Sequence, residues 1–71
     1  MKSTLTKRSV VIGAHKTSVS LENEFWEGLK EIARAKQSSL SELLSIIDSQ
    51  REQTNLSSAI RVFILKQYRR E

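Results

Sequence analysis

The chain has 71 residues, with 12 Lys and Arg against 8 Asp and Glu, a formal net charge of +4 and a sequence pI near 9.9. A domain of this size is marginally stable unless disulfides, a metal or another chain stabilises it. The absence of cysteine excludes disulfides and thiolate metal sites, and the single His15 cannot form a zinc site alone. We therefore expect no cofactor, and we expect oligomerisation to supply the missing stability.

Composition also limits the function classes. The basic excess favours a polyanionic partner. No window approaches the apolar length of a membrane span. A membrane-surface role stays open on charge alone, but basic and apolar residues do not segregate along one helix, so we expect no membrane partner. An enzyme is not expected, because the chain has one histidine, no glycine-rich phosphate loop and little room for a small-molecule pocket. Lack of cysteine is compatible with the cytoplasm, which we take as the expected location.

The first nine residues of the chain are polar and basic, and the residues after them have the pattern of β-strands. Residues 1–9 are polar and without period, which predicts a flexible basic arm ahead of a single domain at 10–71. Val10–Ile12 is β-branched and could extend as a strand, but Gly13 and Ala14 interrupt it. From Lys16 the period is two. This pattern predicts a half-buried strand with one face turned to solvent and the other to the core, formed respectively by Lys16, Ser18 and Ser20 and by Thr17, Val19 and Leu21.

After Glu22 the period changes to that of an amphipathic helix. Phe25, Trp26, Leu29, Ile32 and Ala33 form its apolar stripe, and glutamates in its first turns complement the helix dipole. Gly28 inside this helix costs about 1 kcal/mol relative to alanine, so we expect a close backbone approach there. The stripe ends near Lys36 and a turn follows at residues 37–38.

Two further helices follow. Ser39 and Glu42 form a Ser-x-x-Glu capping box, and Leu40, Leu43, Leu44 and Ile47 then predict a helix from Leu40 to about Arg51. Asn55 is a suitable N-cap for a third helix at about 56–69. That helix carries an apolar face too wide for one neighbour, so we expect part of it to meet another chain. The face comprises Ala59, Ile60, Val62, Phe63, Ile64, Leu65 and Tyr68.

The strand at residues 16–21 needs a partner, because its backbone groups cannot be satisfied alone. Val10–Ile12 could fold back as a hairpin, but the turn at 13–15 has no Asn-Gly or Asp-Gly signal. The alternative is pairing with the same strand of a second chain, and we favour it because it also supplies the second half of a core.

The order of strand, helix, turn and helix resembles the ribbon-helix-helix family of DNA-binding proteins, the family of the Arc and MetJ repressors. HKTSVSLENEFWEGLKEIA is similar to its strand and first helix, and SSLSELLSII to its turn and second helix. The third helix and the lead-in RSVVIGAHKTSVSLE further resemble short bacterial members. The fold this implies is mainly α, an intertwined homodimer with an intermolecular antiparallel two-stranded ribbon.

The resemblance also implies a site. Family members place the ribbon in the DNA major groove, where outward side chains read bases. Matched onto this chain, those positions are Lys16, Ser18 and Ser20. The family anchors phosphates at the start of its second helix, which matches Ser38, Ser39, Leu40 and Ser41. Lys7, Arg8 and His15 are further candidate phosphate contacts. The residues expected in the core or dimer interface are Thr17, Val19, Leu21, Phe25, Trp26, Leu29, Ile32, Leu40, Leu43, Leu44, Ile47, Ile60 and Phe63.

The leading hypothesis is therefore a homodimeric, sequence-preferring binder of double-stranded DNA that regulates transcription as a repressor, with higher oligomers on DNA left open. An alternative is a protein-interaction module that uses the wide face of the third helix, including an antitoxin-like variant. For each predicted contact an ordinary structural role stays open: a solvated strand face at Lys16, Ser18 and Ser20, helix capping at Ser39–Ser41, and a solvated tail at Lys7 and Arg8.

Overall fold

A computed structural model of the chain describes residues 4–50 and 55–69. Two antiparallel strands are followed by three helices, which confirms the predicted ribbon-helix-helix fold class with its additional helix. The elements are β1 (Leu5–Ile12), β2 (His15–Glu22), α1 (Asn23–Ala35), α2 (Leu40–Gln50) and α3 (Leu56–Arg69). Two predicted features lie outside the described residues: the first three residues of the arm and the end of the second helix at Arg51.

The ribbon is formed within one chain. Strand β1 pairs with β2 along its whole length, from Leu5 opposite Glu22 to Ile12 opposite His15. Gly13 has φ of +60° and Ala14 keeps a negative φ, the pattern of a two-residue type II′ turn with glycine first. The prediction of one strand paired across a dimer is therefore corrected: the chain has two strands, and the hairpin supplies the partner that β2 requires.

The boundary between the arm and the domain also differs from the prediction, because β1 begins at Leu5. Leu5–Ser9, assigned by the sequence to a flexible arm, are paired residues of β1. The reason is that the hairpin register brings each of them opposite a residue of β2, so their backbone groups join the ladder.

One face of the ribbon packs against the helices. Val10 on β1 and Val19 and Leu21 on β2 are buried there, with apolar residues of all three helices. Thr17 was expected to face the core but is exposed, because it lies near the hairpin turn, beyond the buried part of β2. Of the other predicted core residues, Leu29, Ile32, Leu43, Leu44, Ile47 and Ile60 are buried, whereas Phe25, Trp26, Leu40 and Phe63 pack against the core at its edge.

The helix ends agree with the sequence signals. Ser39 Oγ accepts from the backbone N–H of Glu42, and Glu42 Oε1 accepts from the backbone N–H of Ser39, both at 3.0 Å, which confirms the capping box. Asn55 Oδ1 accepts from the Ser58 N–H at 3.2 Å and caps α3. Helix α1 ends at Ala35. Gln37, two residues beyond, has a left-handed backbone conformation with φ of 57°, and glycine is the usual residue at such a position.

The two glycines have opposite requirements. Gly13 needs a positive φ, whereas a Cβ on Gly28 would meet Ile64 Cγ2 at 3.6 Å, an ordinary contact. The expectation of a close backbone approach at Gly28 is therefore wrong, because the facing side chains leave room for a methyl group.

We expect Gly13→Ala to lower the free energy of unfolding by about 1 kcal/mol, since L residues disfavour positive φ. Gly28→Ala should raise it by about 0.5–1 kcal/mol, because alanine is the better helix former. Urea unfolding of the two variants beside the natural chain checks both signs. Equal destabilisation by both substitutions would contradict the turn and helix assignments.

Candidate nucleic-acid interface

The ribbon face turned away from the helices carries lysines and hydroxyl groups, and we call it the outer face. Lys16, Ser18 and Ser20 all project there, as the alternation predicts, because they alternate with the buried Val19 and Leu21. Strand β1 contributes Lys7, Ser9 and Val11, which lie opposite Ser20, Ser18 and Lys16 respectively.

The outer face has a chemistry suited to DNA. A lysine lies on each strand, Lys7 on β1 and Lys16 on β2, with Ser9 and Ser18 between them. Ammonium groups donate to guanine O6 and N7 or to phosphates, and hydroxyls donate and accept. Val11 is 47% exposed on the same face, where an apolar side chain can contact a thymine methyl group. A two-stranded ribbon also fits the width of the major groove.

Helix α3 holds the free edge of β2. The Ser20 N–H donates to Ser57 Oγ at 3.1 Å, and Arg61 Nη2 donates to the Ser20 carbonyl oxygen at 3.4 Å. In an antiparallel strand the N–H and C=O groups of one residue point to the same edge. At Ser20 this edge faces α3, so the backbone of Ser20 is hydrogen-bonded to α3 and not to β1. The position of the Ser20 side chain on the outer face therefore depends on α3.

An ion pair supports the same junction. Arg61 Nε donates to Glu22 Oε1 at 3.0 Å. A backbone hydrogen bond, and then the bond from Arg61, hold the pKa of Glu22 below its ordinary value. Glu22 is therefore ionised at neutral pH, and the pair contributes stability that is lost only as the pH falls through that lowered pKa.

The two later helices begin at opposite edges of the ribbon. At α2, Ser41 Oγ donates to the Val11 carbonyl oxygen of β1 at 2.8 Å, while Glu42 places a carboxylate in the first turn. At α3 the first turn contains no acidic residue, and Asn55 and Ser57 line a polar hollow together with Ser18. A helix start without a carboxylate leaves its N–H groups and positive dipole end available to an anion. The α3 start is thus better suited to a phosphate than the α2 start.

The predicted phosphate contacts are not all brought together. Lys7 is exposed on the outer face and His15 is exposed beside the turn. Ser38, Ser39, Leu40 and Ser41 lie at the β1 side, where Leu40 packs against the core and Ser39 and Ser41 make the hydrogen bonds given above. The Ser38 Oγ is buried and has no hydrogen-bond partner in the part of the chain that the structure describes.

Arg8 lies on the inner face, not with the lysines. Its guanidinium lies over the Trp26 ring, 4.7 Å from the centroid, and its Nη2 donates to Asn23 Oδ1 at 2.9 Å. These contacts join β1 to the start of α1 and place the Arg8 guanidinium on the side of the ribbon away from the outer face. Arg8 therefore stabilises the packing of β1 on α1.

Sequence reasoning did not assign Ser9 and Val11 to the site, because the hairpin that Val10–Ile12 could form was not the favoured alternative. It did not assign Ser57 and Arg61, because α3 had no predicted role at the ribbon. The available signal was the Asn55 cap followed by serines without an acidic residue. Among residues 4–50 and 55–69, no cluster of three metal-ligating side chains occurs, and no helix is long and apolar enough to cross a membrane.

Compared with known protein families, the chain matches the model described as "ribbon-helix-helix domain" over residues 5–68, which covers both strands and nearly all of α3. No curated protein and no solved structure matches the chain. The match begins at the first residue of β1 and ends one residue before the end of α3, so it includes all five elements described above. The chain therefore belongs to the ribbon-helix-helix domain family, whose members generally bind DNA as transcriptional regulators.

Proposed function

We propose that the protein binds double-stranded DNA with a sequence preference, through the outer face of its ribbon in the major groove, and represses transcription. The observation that carries the proposal is the outer face itself. It presents Lys7 and Lys16 with three serine hydroxyls on two paired strands and carries one carboxylate, Glu22, at its edge. Glu22 is occupied by Arg61, so it does not cancel the lysines.

The proposed contacts fall into two groups. Lys16, Ser18 and Ser20 read base edges, with Ser9 and Val11 beside them. Lys7 and the start of α3 at Asn55–Ser57 contact phosphates and set the position of the ribbon. His15, at the turn, contacts the backbone at the end of the ribbon. The start of α2 at Ser38–Ser41 is a second proposed phosphate contact, at the β1 edge of the ribbon. It should bind phosphate more weakly than the start of α3, because the Glu42 carboxylate lies in its first turn.

The protein is proposed to act as a homodimer and to act by binding rather than catalysis. DNA binding places it with the nucleoid in the cytoplasm. A second candidate function, a protein-interaction module with antitoxin-like use of α3, is favoured by one observation: Leu65 on α3 is 52% exposed. Tyr68, three residues further along the same helix, is 61% exposed, and neighbouring exposed apolar side chains favour contact with another protein.

Selection of bound duplexes from a random pool tests the proposal directly. Enrichment of one palindromic sequence is the expected result, because two copies related by a twofold axis read two half-sites. A pool that shows no enrichment, at low salt and micromolar protein, would contradict sequence-preferring binding.

The double variant Lys16→Ala, Ser18→Ala should then lower the ratio of preferred-site to random-duplex affinity about tenfold, because base-edge contacts carry sequence discrimination. The matched control is Lys36→Ala, Ser49→Ala, which removes the same side-chain types from exposed helix-end positions away from the ribbon. Fluorescence anisotropy with both duplexes measures the ratio. An unchanged ratio in the ribbon variant would show that these residues do not read the sequence.

A further inference from the structure

A groove of about 600 Å³ lies between α1 and α3, on a surface that the proposed DNA contacts do not use. The two helices run in the same direction along it, since Gly28 lies near Ile64 and Glu31 lies near Tyr68. All of the residues that line the groove belong to these two helices and none belongs to the ribbon. The groove therefore stays accessible when the outer face of the ribbon is occupied.

Gly28 forms part of the floor of the groove, and the packing of the chain does not require a glycine there. Glycine in a helix interior costs about 1 kcal/mol relative to alanine. A Cβ at position 28 would meet Ile64 Cγ2 at 3.6 Å and Tyr68 Cε2 at 3.8 Å, both ordinary contact distances. The missing side chain instead leaves a hollow between Phe25 and Tyr68. A cost in stability without a gain in packing favours a functional reason for the hollow.

The α1 rim of the groove is acidic, although the chain has a net charge of +4. Glu24, Glu27 and Glu31 line the groove and are exposed, and no lining residue is basic. Glu27 pairs with Lys30 at 3.2 Å, and the Glu24 carboxylate makes no hydrogen bond or ion pair with any described residue. The three glutamates follow one another at spacings of three and four, so the negative charge extends about 10 Å along the groove.

Shape and charge together indicate which kind of partner fits. One small cation cannot reach carboxylates that are spread over two helical turns. An amphipathic helix that lies along a groove presents its own side chains at the same spacing of three and four. Its apolar stripe can fill the hollow over Gly28, while lysines or arginines beside the stripe reach Glu24 and Glu31.

We propose that the groove binds a basic amphipathic helix of another protein, with an apolar side chain seated over Gly28 and with basic residues paired to Glu24 and Glu31. Charge complementarity selects the occupant, because the acidic rim borders an apolar floor that contains no basic side chain. The inference adds a protein-binding surface to the proposed DNA contacts and names the chemistry of the partner. Binding at this surface needs no contact with DNA, so it does not rest on the proposed function.

A designed peptide tests the proposal. The probe is a fluorescein-labelled, alanine-based helix of about 18 residues, with leucines along one stripe and lysines beside it, both at spacings of three and four. Fluorescence anisotropy without DNA should give a dissociation constant on the order of 10–100 μM. A peptide with glutamate in place of every lysine should bind at least about tenfold more weakly. Equal binding of the two peptides, or no binding of the lysine peptide at about 1 mM, would overturn the proposal.

The variant Gly28→Ala tests the hollow. Its methyl group occupies space that the peptide needs, so the lysine peptide should bind about fivefold more weakly. The same substitution should raise the free energy of unfolding, as given above for this helix position. Weaker binding by a more stable protein cannot result from loss of structure. Unchanged peptide binding in this variant would show that the groove is not the binding site.

The double variant Glu24→Gln, Glu31→Gln tests the acidic rim, because it removes two negative charges and keeps the size of both side chains. It should bind the lysine peptide about fivefold more weakly. The matched control is Ser49→Lys, Gln50→Lys, which changes the net charge by the same amount at exposed positions of α2 outside the groove. Circular dichroism verifies that each variant is folded. An equal loss in both variants would show that net charge, and not the rim, attracts the peptide.

Two further measurements distinguish other occupants of the groove. If a peptide with alanine in place of every leucine binds as well as the probe, the site recognises charge alone and the proposal fails. If Gly28→Ala changes the self-association of the chain in sedimentation equilibrium, the groove holds a second copy and the proposal also fails. DNA is absent from all of these samples, so a failure of duplex binding would contradict the proposed function and leave the peptide site intact.

Discussion

Removal of both outer-face lysines should weaken DNA binding about fiftyfold at 0.1 M salt and lower the slope of log affinity against log salt by about 1.8. The physical reason is counterion release, since each ammonium that neutralises a phosphate contributes about 0.9 to the slope. On a random duplex, which lacks the preferred bases, Lys16 is expected to contact a phosphate as Lys7 does. The variant is Lys7→Ala, Lys16→Ala. Anisotropy titrations with a random duplex at several salt concentrations give the slope without any knowledge of the operator.

The matched control for that experiment is Lys30→Ala, Lys66→Ala, which removes the same charge from the helices. If net charge alone attracted the protein to DNA, both double variants would lose the same affinity. If the outer face makes the contacts, the control should keep nearly the natural slope. Equal slopes in the two variants would therefore contradict the assignment of Lys7 and Lys16 to the interface.

Arg8→Ala should lower the free energy of unfolding by about 2 kcal/mol and leave the salt slope of DNA binding unchanged. The loss combines the cation–π contact with Trp26 and the hydrogen bond to Asn23, and it is reduced because Arg8 Nη1 is buried without a partner in the described part of the chain. Lys7→Ala, on the neighbouring residue and the opposite face, should show the reverse pattern. Urea unfolding and salt titrations of both variants provide the comparison, and a reduced slope in Arg8→Ala would assign Arg8 to the interface instead.

The helices could be predicted from sequence because each carries its own start signal and apolar stripe. The capping box of Ser39 and Glu42 predicted the start of α2, and the N-cap Asn55 predicted the start of α3. The alternation around Val19 and Leu21 predicted β2 and its outward residues. These signals act over a few residues, so they do not depend on the tertiary structure.

Strand β1 could not be recognised in the same way. Its inner face carries Arg8 and its outer face carries Leu5 and Val11, so polar and apolar residues do not alternate. The turn at residues 13–15 was considered but not favoured, because it has no Asn-Gly or Asp-Gly pair. Glycine at the first of two turn residues is itself the signal for a type II′ hairpin. The dimeric ribbon followed from that error.

The role of α3 beside the ribbon was not predictable either. Ser57 and Arg61 reach Ser20 and Glu22 across 37 and 39 residues of chain, and no local pattern reports such a contact. The different roles of Lys7 and Arg8 were not predictable either, because the two neighbours carry the same charge. Only the register of the hairpin shows that Lys7 lies on the outer face and that Arg8 packs on Trp26.

The hairpin turn at Gly13 has a consequence at low protein concentration. A ribbon shared between two chains exists only in the dimer, so dilution below the dissociation constant removes it. Here both strands belong to one chain, and the ribbon forms by a local, unimolecular step at any concentration. A cell that holds a few molecules would therefore keep the ribbon formed in every one of them, and mass action would govern only the pairing of copies in the proposed dimer.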